Sequence, residues 1–360
     1  MKSMYIHIPF CKSICTYCDF CKQLYNETNI KKYLISLRNE IEDRYNDEEL
    51  DTLYIGGGTP SALNINELKD LFDILNVLKL NNLKEFTFEC NVNDITEELI
   101  KLLKLNKVNR ISIGVESFDK NKLQFMERFA NFEDVKNKIE LIKMNGINNI
   151  NIDLMYGIPG ETLKVLKRDL DLILKLKPTH ISTYSLILEE YTKLAINNVT
   201  PIDEELELEM FNYIRKKLGK KKYIHYEISN FALANYESIH NLNYWNNDEY
   251  YGFGLGAHGY IDGIRYENTK NFNKYIENNF VAKEEIVGIK EKQENELMLG
   301  FRKINGINLE KFYDKYGVNM QSVFPIKALL KNKDLIYKDG NIFINPDRLY
   351  VMNEILLKLI

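Results

Sequence analysis

No run of apolar residues in this 360-residue chain approaches the ~20 needed to cross a bilayer. The opening residues, MKSMYIHIPF, contain neither an apolar stretch nor a small-residue cleavage site, so they do not read as a secretion signal. Together these absences predict a cytoplasmic protein that is not transmembrane. A large excess of either charge is missing too: 48 Lys and Arg stand against 52 Asp and Glu, a net charge of −4. So small an imbalance gives no long-range pull toward nucleic acid or an anionic surface, and the run from Lys216 to Lys222 reads as a solvated helix end. There is no long disordered linker and no internal repeat beyond alternating strand and helix units. Histidine and tryptophan are scarce, five and one, so the places where they fall together carry weight.

What is present is enough apolar material, 45% of residues, for a large core. The length suits one large α/β unit with an appendage. Strand-like runs at Tyr5–Ile8, Thr52–Ile55, Glu85–Glu89, Arg110–Val115, Ile150–Met155 and His180–Leu186 alternate with helical ones. Tyr33, Leu34, Leu37 and Ile41 share one helical face, as do Leu68, Leu71, Phe72 and Leu75. Asn64 with Glu67, and Asp94 with Glu97, have the spacing of helix N-caps, and Gly146 marks a helix end. Six such units predict an open, partial (β/α)6 barrel over residues 1–190, with its site at the C-terminal ends of the strands. Residues 191–285 read as a barrel extension: a helix at Glu204–Leu218, a strand-like YIHYEISNF, then a glycine- and aromatic-rich stretch. Residues 286–360 read as a small winged-helix-like α+β domain, with Asp339-Gly340 turning its hairpin.

Four of the five cysteines, Cys11, Cys15, Cys18 and Cys21, fall within eleven residues. In a reducing compartment a cluster of this kind means metal ligands or catalytic thiols rather than disulfides. The separations of four and three let Cys11, Cys15 and Cys18 wrap three corners of an iron–sulfur cube, leaving one iron open for a ligand. Cys21 as a fourth thiolate, or a three-cysteine zinc site, are the competing readings. Gly56-Gly57-Gly58-Thr59 at the end of the second strand bares backbone where a ligand can approach without Cβ obstruction.

This pairing resembles the radical S-adenosylmethionine (SAM) superfamily. The segments YIHIPFC, GGGTPS, NRISIGVESF and NIDLMYGIP narrow it to the branch that holds oxygen-independent coproporphyrinogen III dehydrogenases and the HemW heme chaperones. The resemblance spans nearly the whole chain. It implies a 4Fe–4S cluster whose open iron chelates SAM, with Gly57, Gly58 and Thr59 near the methionine end. It also implies that Tyr5 and Tyr17 lie beside SAM, that Glu89 binds the ribose, and that Arg128 and Asp153 add polar contacts. Glu116 stands where relatives usually have Gln, and Cys90-Asn91-Val92 where they often have Ala-Asn-Pro.

Two features favour the chaperone within that branch. The first strand begins at residue 5, leaving no room for the N-terminal extension of the dehydrogenases. The segment from His240 to Trp245 matches the HNxxYW signature of the HemW group, which implies a heme site at His240, Asn241, Tyr244 and Trp245. His258, among glycines, reads as structural. The expected partners are heme or a porphyrin, heme-accepting apoproteins and an electron donor. The alternative is an enzyme that decarboxylates coproporphyrinogen III by radical chemistry.

Overall fold

A computed structural model describes residues 2–359. Six strands form its centre: β1 (Ser3–Ile8), β2 (Thr52–Gly57), β3 (Glu85–Asn91), β4 (Arg110–Glu116), β5 (Asn149–Tyr156) and β6 (His180–Ser185). They pair in parallel in sequence order, each within a few residues of its expected position. Side chains alternate along them with period two. Ile6, Ile55, Phe88, Ile113, Ile152 and Ile181 are fully buried in the main core, beneath the surrounding helices. The intervening positions bond to one another across the lumen: Asn151 reaches Ser112 and Asp153, and His180 reaches Asn151. The fold therefore buries apolar residues outside the barrel and keeps a polar interior.

The helices α1 (Glu27–Arg44), α2 (Ile65–Ile74), α3 (Glu97–Leu105), α4 (Phe132–Met144) and α5 (Leu163–Leu176) cover this sheet. Asn64 closes a full capping box with Glu67 at the start of α2. The expected cap at Asp94 is not formed. Thr96 caps α3 instead, accepting from Leu99 N at 3.1 Å, while Asp94 takes bonds from Lys12 and Ser61. Its short side chain serves tertiary partners better placed than the helix end.

After β6 the chain forms α6 (Glu204–Gly219), then β7 (Ile224–Glu227) and β8 (Asn230–Ala232), an antiparallel pair rather than one strand. The sheet runs past six strands on both sides. Beyond β6 lie β8 and β7. Beyond β1 lie β9 (Tyr250–Phe253), β10 (His258–Ile261), β11 (Ile264–Asn268) and β12 (Val281–Ile286), so the whole sheet has twelve strands. Of these four, β9 joins β1 in parallel, and β10 to β12 continue from it as an antiparallel meander.

Two more helices complete the frame of the site: α7 (Ile239–Trp245) and α8 (Ile289–Gly300). A second apolar core gathers Leu297, Phe301, Phe312, Leu335, Ile342 and Ile355. Its three-stranded sheet pairs β13 (Ile307–Asn308) with β15 (Asn341–Ile344), and β15 with β14 (Leu335–Lys338). Asp339 and Gly340 have φ of 51° and 78°, the left-handed pair that a two-residue hairpin of this twist requires. Backbone bonds from Ile228 N to Arg302 O and from Ile304 N to Tyr226 O tie this unit to the β7 edge.

Candidate functional site

The cysteine loop leaves β1 at the C-terminal mouth of the barrel. Gly57 and Gly58 sit against it so closely that a Cβ would lie 2.7 Å from the His7 ring or 3.0 Å from Cys11 Sγ, and Gly57 adopts φ 119°. The N–H groups of Gly57, Gly58 and Thr59 are spent on Glu89, Ile8 and Phe10. A ligand here would therefore meet carbonyl oxygens, which suit an ammonium group.

All five cysteines are free thiols. Cys11 receives a bond from Thr59 Oγ1 at 3.5 Å, and burial pushes its thiol up to about 11 while Cys18 and Cys15 add to the shift. Arg128 Nη1 stands 3.7 Å from Cys15 Sγ, a cation placed to balance thiolate charge. Cys21 is turned elsewhere. Its carbonyl accepts from His7 Nε2 at 2.7 Å, and its sulfur packs on Gly256. Cys11, Cys15 and Cys18 are close enough for their charges to interact, yet among the described residues no three of these side chains are drawn together as a finished metal-ligand group.

Glu89 accepts from Tyr54 OH at 2.6 Å and from Gly57 N at 3.1 Å. Burial raises its carboxyl to about 7; the Tyr54 hydrogen bond opposes this and the Asp153 charge adds to it. Glu116 pairs with Arg128 at 3.1 Å, is raised to about 7 by burial against the pull of Arg128, and holds a left-handed backbone at φ 65°. Strain of that kind in a non-glycine residue collects at functional sites. Arg128 also bonds Gly114 O and Asn91, and Tyr17 reaches Glu116. Asp153 is held by Asn151 at 2.7 Å. Tyr5, beside Tyr54 and His7, completes the wall. Glu89, Glu116 and Asp153 thus share the lumen with two guanidiniums, Arg128 and Arg110, and burial raises all three carboxyls.

A cavity of about 830 Å³ opens from this mouth toward the extra strands, in the range of small-molecule and cofactor sites. Tyr5, Gly57 and Glu89 form one end; Tyr244, Trp245 and Met298 form another. The segment expected at the heme is here, on α7, but His240 does not offer a nitrogen. Its Nδ1 is 2.8 Å from Thr52 Oγ1, its Nε2 is 2.8 Å from Tyr244 OH, and its ring lies 5.1 Å from that of Tyr54. Ligating iron would require giving up both bonds at a residue that is 1% exposed. Asn241, Tyr244 and Trp245 do line the cavity. The structural reading of His258 is half met: its backbone abuts Gly252, yet its side chain is 48% exposed in the cavity wall.

Tyr54, Arg265, Lys270 and Asn295 also line the cavity and were not singled out from sequence. Tyr54 precedes Gly56 by two on a strand, so period-two reading would have placed it inward. The other three sit on outlying elements and carry no motif.

The profile of the radical SAM superfamily matches residues 5–173. Heme chaperone HemW of Lactococcus lactis subsp. lactis is 40% identical over 94% of this chain and 91% of its own length. Heme chaperone HemW of Bacillus subtilis is likewise 40% identical, over 94% of this chain and 93% of its own. Among solved structures, the coproporphyrinogen III oxidase HemN of Escherichia coli, a radical SAM enzyme, superposes with a TM-score of 0.85 at 18% identity, covering 99% of this chain and 89% of that one.

Proposed function

Because the chain belongs to the HemW heme chaperone family within the radical SAM superfamily, we propose that it binds a 4Fe–4S cluster, SAM and heme, and delivers the heme to apoproteins. The observation that carries this reading is the 830 Å³ cavity joined to the cysteine loop, walled by aromatic rings and rimmed by Arg265 and Lys270. A flat apolar ring with two carboxylates fits such walls and such a rim.

Cys11, Cys15 and Cys18 would hold the cluster, which when bound supplies an electron to the sulfonium of SAM. Glu89 accepts from ribose hydroxyls, while Tyr5 and Tyr17 flank the ligand. Gly57, Gly58 and Thr59 shape its methionine end. Glu116, Arg128 and Asp153 fix its polar edges and exclude water. Asn241, Tyr244 and Trp245 form one wall of the heme cavity, with His240 bracing that wall from behind. An electron donor is the further partner this chemistry needs, and the cytosol supplies the reducing setting in which the free thiols persist.

The test is an anaerobic assay of the reconstituted protein with coproporphyrinogen III, run beside a heme titration. Stoichiometric heme uptake with no decarboxylated product supports the chaperone. Product without heme uptake replaces it with the dehydrogenase.

A further inference from the structure

The five imidazoles differ in what their nitrogens already touch. His7 has Tyr5 OH on Nδ1 at 2.9 Å and the Cys21 carbonyl on Nε2. In His180 the two nitrogens meet Asn151 and Tyr226 at 2.6 and 2.7 Å. His240 is engaged on both sides as described, and His225 bonds Ile228 O at 3.2 Å while its ring stacks on Phe231. Among the described residues, His258 alone makes no side-chain hydrogen bond. Glu267 Oε1 lies 4.0 Å from its Nδ1 and is itself 43% exposed, and the cations Lys270 and Arg265 are near enough to act on the ring.

His258 also occupies a wall suited to a metal-bearing ring. It begins β10 opposite Glu267, and two residues on, Tyr260 stands opposite Arg265. Period two places His258 and Tyr260 on one face of the strand, and both line the cavity together with Arg265 and Lys270. Trp245 of α7 and Asn295 of α8 line the same cavity. Trp245 Nε1 and Asn295 Nδ2 are buried donors with no partner within the protein. Buried donors left unpaired are costly, so an acceptor brought by a ligand is the natural completion. An imidazole on one wall, two cations at the rim and two waiting N–H donors describe an iron-bearing ring with carboxylate arms.

We propose that His258, not His240, is the protein ligand to the heme iron, and that Arg265, Lys270, Trp245 Nε1 and Asn295 Nδ2 receive the carboxylates of the ring. This rests on the heme reading above and assigns the residues that carry it. Burial holds the His258 imidazole below its usual range, which keeps the nitrogen unprotonated and available to a metal at neutral pH. The rings of Tyr244 and Trp245 supply apolar contact.

The experiment is heme titration of the full-length protein and of His258→Ala, His240→Ala, Cys21→Ala and the double variant Arg265→Gln/Lys270→Gln, followed in the Soret region. His258→Ala is expected to move the Soret band and weaken binding ~10-fold or more, with added free imidazole restoring the wild-type spectrum. The double variant should weaken binding while leaving the spectrum in place. His240→Ala, where it remains folded by circular dichroism, should keep the wild-type band. An unchanged spectrum and affinity in His258→Ala, with the wild type taking up heme, overturns the assignment and leaves the chaperone reading intact. Loss of the band in Cys21→Ala but not in His258→Ala also overturns it. A wild type that takes up no heme overturns the chaperone reading itself, and the assignment with it.

Discussion

Cys11 and Cys15 face Thr59 and Arg128, whereas the Cys21 sulfur lies against Gly256 in the cavity wall. Alanine at Cys11, Cys15 or Cys18 should therefore abolish the cluster, and Cys21→Ala should assemble it normally. Iron content and visible absorption of the reconstituted variants decide this; loss of iron on changing Cys21 would make it a ligand. The nearness of Cys11, Cys15 and Cys18 to one another was legible because near neighbours in sequence must be neighbours in space. The state of His240 was not. What occupies its nitrogen is Thr52, 188 positions away, and no local pattern reports a partner at that distance. The exposure of the His258 ring was not legible for the converse reason: the glycines around it set its backbone, while the freedom of its ring depends on a cross-strand partner that stays 4.0 Å off.

At the level of elements, α7 is a short helix held inside the barrel by a residue of another strand. Glu85, at the start of β3, accepts from Ser238 Oγ at 3.0 Å, Ile239 N at 2.7 Å and His240 N at 3.3 Å. A carboxylate at a helix N-terminus satisfies donors that the helix itself leaves open. Glu85→Ala should strand these donors and remove the foremost countercharge of the buried Arg110, leaving Asp153, at a cost on the order of 3 kcal/mol. Urea denaturation checks the loss; a midpoint unchanged from wild type would mean that α7 is held by packing alone. Element starts were legible where the capping residue is local, as at Asn64. They were not where a distant side chain does the capping, or where, as at Asp94, a candidate cap finds better partners.

Across the whole molecule, the barrel and the second core meet at Glu227. Its carboxyl is fully buried, with one oxygen unpartnered, and bonds only Ser229 N and Asn230 on its own hairpin. Burial raises it from 4.5 to about 7 despite those bonds and the charge of Arg302. Between these two values the folded protein keeps a proton that the unfolded chain has released. Stability must then fall as pH rises through that window, on the order of 2–3 kcal/mol, and no further above it. Glu227→Gln is neutral in both states and should lose correspondingly less stability between pH ~5 and ~7.5. Equal losses in wild type and variant, read from urea midpoints at the two pH values, would remove Glu227 as the cause. The six-strand order was legible because each strand and its helix follow one another in the chain. The extension of the sheet to twelve strands was not, since β9 joins β1 across some 240 intervening residues.

Tyr5, Gly57 and Glu89 line the cavity and are also the residues proposed above to contact SAM. One shared wall makes the two occupants thermodynamic correspondents. Whatever factor SAM imposes on the affinity for heme, heme must impose on the affinity for SAM, in the same direction and by the same amount. The level of a common metabolite would then set how firmly a scarce and toxic cargo is held.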